Sequence, residues 1–363
     1  MKFDEYAKRS PWDAWHRIQP VLRQHQFTGV VQCVRRGVLK LYGSDLLSLD
    51  QRSFARLNEA IGSRYAAIFA WYRSAMRQAH FSDLIRPVQP EFYFREASRE
   101  SAAEEMAFTR TVLRIDPFLE LWPTESPRRR TLADMAGVDP VDADTWRSFL
   151  ERFFEVAAKK SAVGIKQLQA YRRSLEYQSR EDNAVNFRGD LTPREVRAFQ
   201  DWVVHECCKL AHERGWVHQV HVGTNNLGES SPLPLVPLAE RYPRMNVVMI
   251  HCWPFLKESG WLAKHVPNVY IDTCWQPVLN PQFFREALTM WWNYVPVHKI
   301  TCGHDSTSVE MAVGSSMFTR EIMAEVLRER TRGTGSKHSE VTSAAAALLH
   351  GNAIRIYGRP KFS

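Results

Sequence analysis

Residues 191–223, LTPREVRAFQDWVVHECCKLAHERGWVHQVHVG, spell out a helix and the strand that follows it. Thr192 stands as N-cap, Pro193 at the first helical position and Glu195 three residues after the cap, which is a capping box. Leu191 can staple onto Val196, and Val196, Phe199, Val203 and Leu210 share one face directed at a sheet. Gly215 stops the helix, because glycine tolerates the left-handed conformation at C′. Trp216 to Val222 then reads as a strand with no intervening loop. Such a minimal α-to-β connection is what a barrel of parallel strands uses.

The same alternation extends outward from this pair. From about residue 81 the strand candidates are 82–88, 107–115, 162–169, 216–222, 247–251, 269–273 and 299–303, separated by amphipathic helical stretches. Strands alternating with helices imply parallel pairing through right-handed crossovers. The first eighty residues read as helical instead. Ser10-Pro11 offers a cap and a first-turn proline, and Trp12, Trp15, Ile18 and Leu22 recur at helical spacing. A second helical stretch runs from about Leu49 to Gln78, with Phe54, Leu57, Ile61, Tyr65 and Phe69 on one face. The expected organisation is a helical segment over residues 1–80 packed on a single α/β barrel unit over residues 81–363.

Bulk properties narrow the class. The 363 residues are 44% hydrophobic and 24% charged, an ordinary globular composition. No run approaches the roughly 20 apolar residues of a membrane span, and MKFDEYAKRSPWD lacks the apolar core of a leader. The six cysteines form no CxxC pair and read as reduced thiols of a cytosolic protein. The net charge of +8 is spread along the chain. Its densest run, Arg128-Arg129-Arg130, follows Pro127 and reads as a solvated loop rather than a nucleic-acid patch. No nucleic-acid or membrane partner is expected, and a homo-oligomer is compatible with the many aromatic residues.

Three strand candidates end in residues able to bind metal: His221, His251 and Asp305. In a parallel barrel the C-terminal strand ends share one rim, so such residues converge. Two imidazoles and a carboxylate suit zinc or a similar divalent ion with a position left open for water. Against this, a single histidine at a strand end is commonly a hydrogen-bonded structural residue. His218, early in its strand, reads as packing. His304 either lines the rim or points away from Asp305, and Asp272 either touches substrate or makes a structural hydrogen bond.

The segments Gln219-Val220-His221-Val222-Gly223, Ile250-His251-Cys252, Gly303-His304-Asp305-Ser306 and Gly351-Asn352-Ala353-Ile354-Arg355-Ile356-Tyr357-Gly358 occur in an order that resembles the amidohydrolase-related metal-dependent hydrolases. That group includes decarboxylases and lactonases and is similar to uronate isomerases. The resemblance covers about residues 160–360 and the first half loosely. It implies a (β/α)8-type TIM barrel in which His221, His251 and Asp305 face one or two metal ions, zinc first, with manganese or iron as alternatives. Asp305 would also take the proton from the attacking water. Ala162-Val163-Gly164-Ile165-Lys166-Gln167 resembles the family's fourth-strand Gly-x-Lys segment. Lys166 would then hold a substrate carboxylate or, carbamylated, bridge two metals; the alternative is a snorkelling lysine. Arg172, in the loop that follows, either clamps a carboxylate through its planar fork or is solvated.

The resemblance also implies a His-x-His pair on the first strand, and this sequence contains none. Seven strands are found where closure takes eight, and the early apolar run Val30-Val31-Gln32-Cys33-Val34 carries no ligand. The expectation is a barrel lacking its first strand, either because the sequence begins downstream of it or because it was lost. The expected function is hydrolysis of a small, anionic, carboxylated substrate by metal-activated water. The alternatives are a decarboxylase or uronate-isomerase-like reaction on the same rim, or a catalytically impaired barrel.

Overall fold

The computed structural model describes residues 9–94 and 104–358; most of the stretch read above for a leader lies outside the described residues. Among the described residues seven strands form: β1 (Leu84–Val88), β2 (Thr109–Arg114), β3 (Ala162–Gln167), β4 (Val217–Gly223), β5 (Asn246–Trp253), β6 (Val269–Asp272) and β7 (Ile300–Thr301). They pair in sequence order, every pair parallel. The fold is thus an α/β sheet of TIM-barrel type, with seven strands among the described residues where a closed barrel has eight.

Before β1 come α1 (Pro11–Gln24), α2 (Gly29–Tyr42), α3 (Gln51–Tyr65) and α4 (Ile68–Gln78). Between the strands lie α5 (Pro127–Ala136), α6 (Ala143–Lys159), α7 (Pro193–Arg214), α8 (Val236–Arg241) and α9 (Leu256–His265). After β6 come α10 (Gln276–Leu279), α11 (Pro281–Tyr294), α12 (Val309–Thr331), α13 (His338–Ala346) and α14 (Asn352–Tyr357). No described helix is long and apolar enough to cross a membrane. The chain divides into two compact units. One comprises Met1–Ser82, Cys274–Met290 and Gly303–Ala345; the other comprises Asp83–Thr273, Trp291–Cys302 and Ala346–Ser363 and carries the whole sheet.

The capping logic of α7 is realised in full. Thr192 Oγ1 accepts from the Glu195 N–H, Glu195 accepts from the Thr192 N–H at 2.8 Å, and Gly215 is left-handed at φ 61°. Phe199 and Val203 are fully buried on its sheet-facing side. Two other stretches depart from expectation. The helical stretch from Leu49 to Gln78 breaks at Ala67, which has φ −122° and ψ 67°, so α3 and α4 are separate helices. Arg128-Arg129-Arg130 is not a loop but the first turn of α5, because Ser126 caps it and Pro127 occupies its first position. Arg129 is buried and donates to the Leu121 carbonyl at 3.2 Å, so this run is only partly a solvated face.

In the first unit α2 and α12 cross backbone to backbone. A Cβ on Gly37 would lie 1.7 Å from the Glu310 carbonyl oxygen, and one on Gly314 would lie 1.7 Å from that of Cys33. The apolar run Val30–Val34 therefore serves a helix contact. The buried Glu310 carboxylate accepts from the Tyr42 and Tyr65 hydroxyls at 2.8 and 2.9 Å. Leu41, Trp71, Ala75, Val309 and Val313 pack beside it.

In the second unit the final helix enters the same network as the sheet. Arg110 of β2 donates to the Tyr357 and Gly358 carbonyls, and Gln219 of β4 donates to the Tyr357 hydroxyl at 2.9 Å. Asn352 donates to the Val297 and Ile300 carbonyls at the start of β7, both at 2.8 Å.

The α2–α12 crossing gives a direct stability test. Gly37→Ala forces the helices apart and should cost about 1–3 kcal/mol. Gly62→Ala, on α3 with open space at its Cβ position, should stabilise by up to about 1 kcal/mol. Denaturant unfolding of the two variants should therefore shift in opposite directions, and a shared direction refutes the close-crossing account.

Candidate metal centre

The pleat of β4 sorts its histidines. His218, Val220 and Val222 alternate to the face covered by α7, where His218 Nδ1 lies 3.6 Å from the Cys208 sulfur. Gln219 and His221 occupy the opposite face. Register sets the row around them: Arg114, Lys166, Gln219, Val248 and Tyr270 are consecutive Cα partners across five strands. One row nearer the C-terminal end come His221, Ile250, Asp272 and Thr301.

His251 pairs in register with Val222, so regular pleating places it on the helix-covered face. Its backbone breaks the alternation. His251 and Cys252 both have left-handed φ, 70° and 59°. Its ring thereby meets that of His221, with centroids 4.4 Å apart and planes at 66°. Gly223 makes this approach possible. At φ 72°, any Cβ there would sit 1.8 Å from the Trp253 carbonyl oxygen, and the next residue's N–H donates to that oxygen at 2.7 Å.

His221 is buried, with its Nε2 2.6 Å from the Thr224 hydroxyl and its ring 4.4 Å from that of Tyr171. Its Nδ1 is buried and makes no close hydrogen bond, the Gly223 backbone being only a weak partner of the ring. Burial, assisted by the positive charge of Lys166, pushes its pKa down to about 3. The imidazole is therefore neutral near pH 7, the form that ligates metal. Two buried imidazoles in ring contact, one with a nitrogen that makes no close hydrogen bond, form a donor set that fits a divalent ion.

The remaining candidates are distributed as follows. Lys166 is buried in the row below His221. Asp272 is buried and accepts from the Thr301 hydroxyl at 2.6 Å. Arg172 is exposed and ion-paired with Glu120, whereas its neighbour Arg173 is buried against Asp201 at 2.6 Å. Asp305 and His304 belong to the first unit. Asp305 is exposed, with a left-handed φ of 45°, four residues past the two-residue β7. His304 Nδ1 is 3.4 Å from the Ser315 hydroxyl and its ring is 5.2 Å from Phe81. Burial and the nearby Arg320 charge lower its pKa to about 4. Tyr171, at the end of the short 3-10 turn Gln169–Tyr171, and Thr224, in the loop after β4, both contact His221, and neither carried a signal in the sequence.

His218 offers a pH test free of metal chemistry. Burial, then the Lys166 charge, lower its pKa from 6.5 to about 3, and its Nε2 has no partner. The unfolded chain then binds this proton first as pH falls. Stability is complete above about pH 6.5 and declines towards pH 3, by up to about 1.4 kcal/mol per pH unit for one histidine. His218→Leu should flatten that slope between pH 6 and 4 in denaturant titrations; an unchanged slope refutes a buried neutral imidazole.

Comparison with known proteins agrees with this architecture. A family model described as amidohydrolase matches residues 66–290. The uronate isomerase of Thermotoga maritima superposes with a TM-score of 0.77 over 98% of this chain and 84% of that one, at 13% identity. A Lactobacillus casei protein proposed to be a metal-dependent hydrolase gives 0.66 over 94% and 90%, at 16% identity. Both likenesses concern the fold alone. Protein fluG of Emericella nidulans is 29% identical over 153 residues, 35% of this chain. The chain spans only 18% of that relative's length.

Proposed function

We propose that this chain, which belongs to the amidohydrolase family, is a metal-dependent hydrolase acting on a small carboxylated substrate. The observation that carries the proposal is the pairing of His221 with His251, ring to ring at 4.4 Å, with a buried His221 Nδ1 that makes no close hydrogen bond. His221 and His251 would hold the ion. Asp305 is assigned as a further ligand and as general base by its place in the Gly303-His304-Asp305-Ser306 motif. Zinc suits this ligand set best, though manganese and iron share it. A bound divalent ion lowers the pKa of water and polarises a substrate carbonyl.

The protein's own groups supply the rest. Thr224 fixes the ring of His221 through Nε2, which leaves Nδ1 for the ion. Asp305 takes the proton from the attacking water. Lys166 and Arg172 would hold an anionic substrate group, and Asp272 and His304 would be further substrate contacts. The fold likeness to a uronate isomerase favours a second reading, in which a general base moves a proton between neighbouring carbons of a sugar acid.

The test begins with elemental analysis of protein purified without chelator. Stoichiometric divalent metal is expected, and His251→Ala should lose both the metal and turnover on a panel of lactones, unsaturated dicarboxylates and uronates. Metal-free wild type, together with a His251→Ala variant of unchanged activity, rejects the proposal. Turnover confined to uronates without hydrolysis selects the isomerase reading.

A further inference from the structure

The row below His221 holds a second positive side chain besides Lys166. Arg114 ends β2 as the direct Cα partner of Lys166 on β3, so the two side chains leave the same face of the sheet on neighbouring strands. Lys166 is buried, and its charge acts on His221. Arg114 is reachable, with 27% of its side chain exposed.

Its hydrogen bonding is poor for a guanidinium. Nε is buried and has no partner. Among the described residues Asp116 is its ion-pair partner, and it accepts from a terminal nitrogen only at 3.5 Å. Asp116 is committed elsewhere: one oxygen accepts the Leu168 N–H at 2.6 Å and the Gln169 side-chain amide at 3.3 Å. Other arginines of this unit are better satisfied. Arg110 bonds Asp83 and two carbonyls, and Arg173 bonds Asp201, Gln200 and two carbonyls. A buried guanidinium nitrogen without an acceptor beside a second cation is a costly arrangement unless an anion completes it.

We propose that Arg114, together with Lys166, binds the carboxylate of the substrate, making Arg114 a specificity-determining residue. This rests on the functional reading above and sharpens it: the substrate's acid group would dock one row below the imidazole pair. Arg114 offers Nε and a terminal nitrogen as a two-toothed donor, which matches the planar carboxylate, while Lys166 supplies a point charge. A monoanion suits the site better than phosphate, because Asp116 stands beside the guanidinium and opposes a second negative charge.

The test is calorimetric titration of the 363-residue chain, in the metal state in which it is isolated, with D-lactate and D-glucuronate as monoanionic carboxylate probes. Inorganic phosphate and D-glucose serve as comparisons. Saturable binding of at least one carboxylate, at least tenfold weaker in R114M and partly restored in R114K, is expected. R152M, on the outer surface, should bind as wild type. Because Arg114 makes a single long hydrogen bond, R114M should fold; R114Q gives the same readout should it not. The proposal is overturned if no carboxylate saturates the wild type, if R114M binds as wild type, or if phosphate binds more tightly. Metal content of the same samples separates the two ideas. Metal-free protein that still binds carboxylate through Arg114 upholds this site and defeats the metal-dependent reading, whereas metal-loaded protein indifferent to R114M does the reverse.

Discussion

Everything at the C-terminal edge of the sheet depends on two backbones being allowed to touch. β4 and β5 end with Gly223 lying against the Trp253 carbonyl, at a spacing that no side chain could share. That contact draws the strand ends together just where one carries His221 and the other His251. The left-handed residues beside it, His251 and Cys252, turn the second imidazole out of the regular pleat and onto the first. Backbone strain of this kind persists only where its surroundings over-determine it. Here they are the parallel ladder below and the hydrogen bond from Thr224 to Trp253 above.

The electrostatics of this region follow from the same packing. The parallel sheet buries whatever its two faces carry, and the row of Arg114 and Lys166 puts positive charge beneath the imidazoles. Burial and the Lys166 charge act in one direction on His221 and His218, holding both neutral. Yet the two residues diverge in use. His218 is spent against Cys208 on the helix-covered side, while His221 keeps one nitrogen engaged and one without a close hydrogen bond. A difference of three positions along a strand, read through the pleat, separates a packing histidine from a candidate ligand.

That separation shows what the sequence could convey. Strand positions were legible because buried parallel strands are short apolar runs, and all seven appear where such runs occur. Thr192, Pro193, Glu195 and Gly215 each act locally, so α7 could be read to its ends. The ring-to-ring contact of His251 could not, since register alone sends that residue to the other face and only its φ reverses this. The break at Ala67 has neither glycine nor proline to announce it. The Arg128-Arg129-Arg130 run shows how composition misleads: three arginines read as a solvated loop, although Ser126-Pro127 carries the same start signal as Ser10-Pro11. Arg114 carried no signal in the sequence, because the missing acceptor at its Nε is a property of three dimensions.

Tyr357 imposes an order of events on the making of this molecule. Its carbonyl and hydroxyl are held by Arg110 and Gln219, residues 247 and 138 positions earlier in the chain. While a ribosome is still synthesising the last third of the protein, the residues of β2 and β4 have been made but lack these acceptors. Arg110 at that stage has only Asp83 to bond. Contacts of such separation are slow to close, and until they do the Gln219 amide and the free end of the Arg110 guanidinium are left to water. The sheet's last step of consolidation waits for a tyrosine that leaves the ribosome after all seven strands have been made.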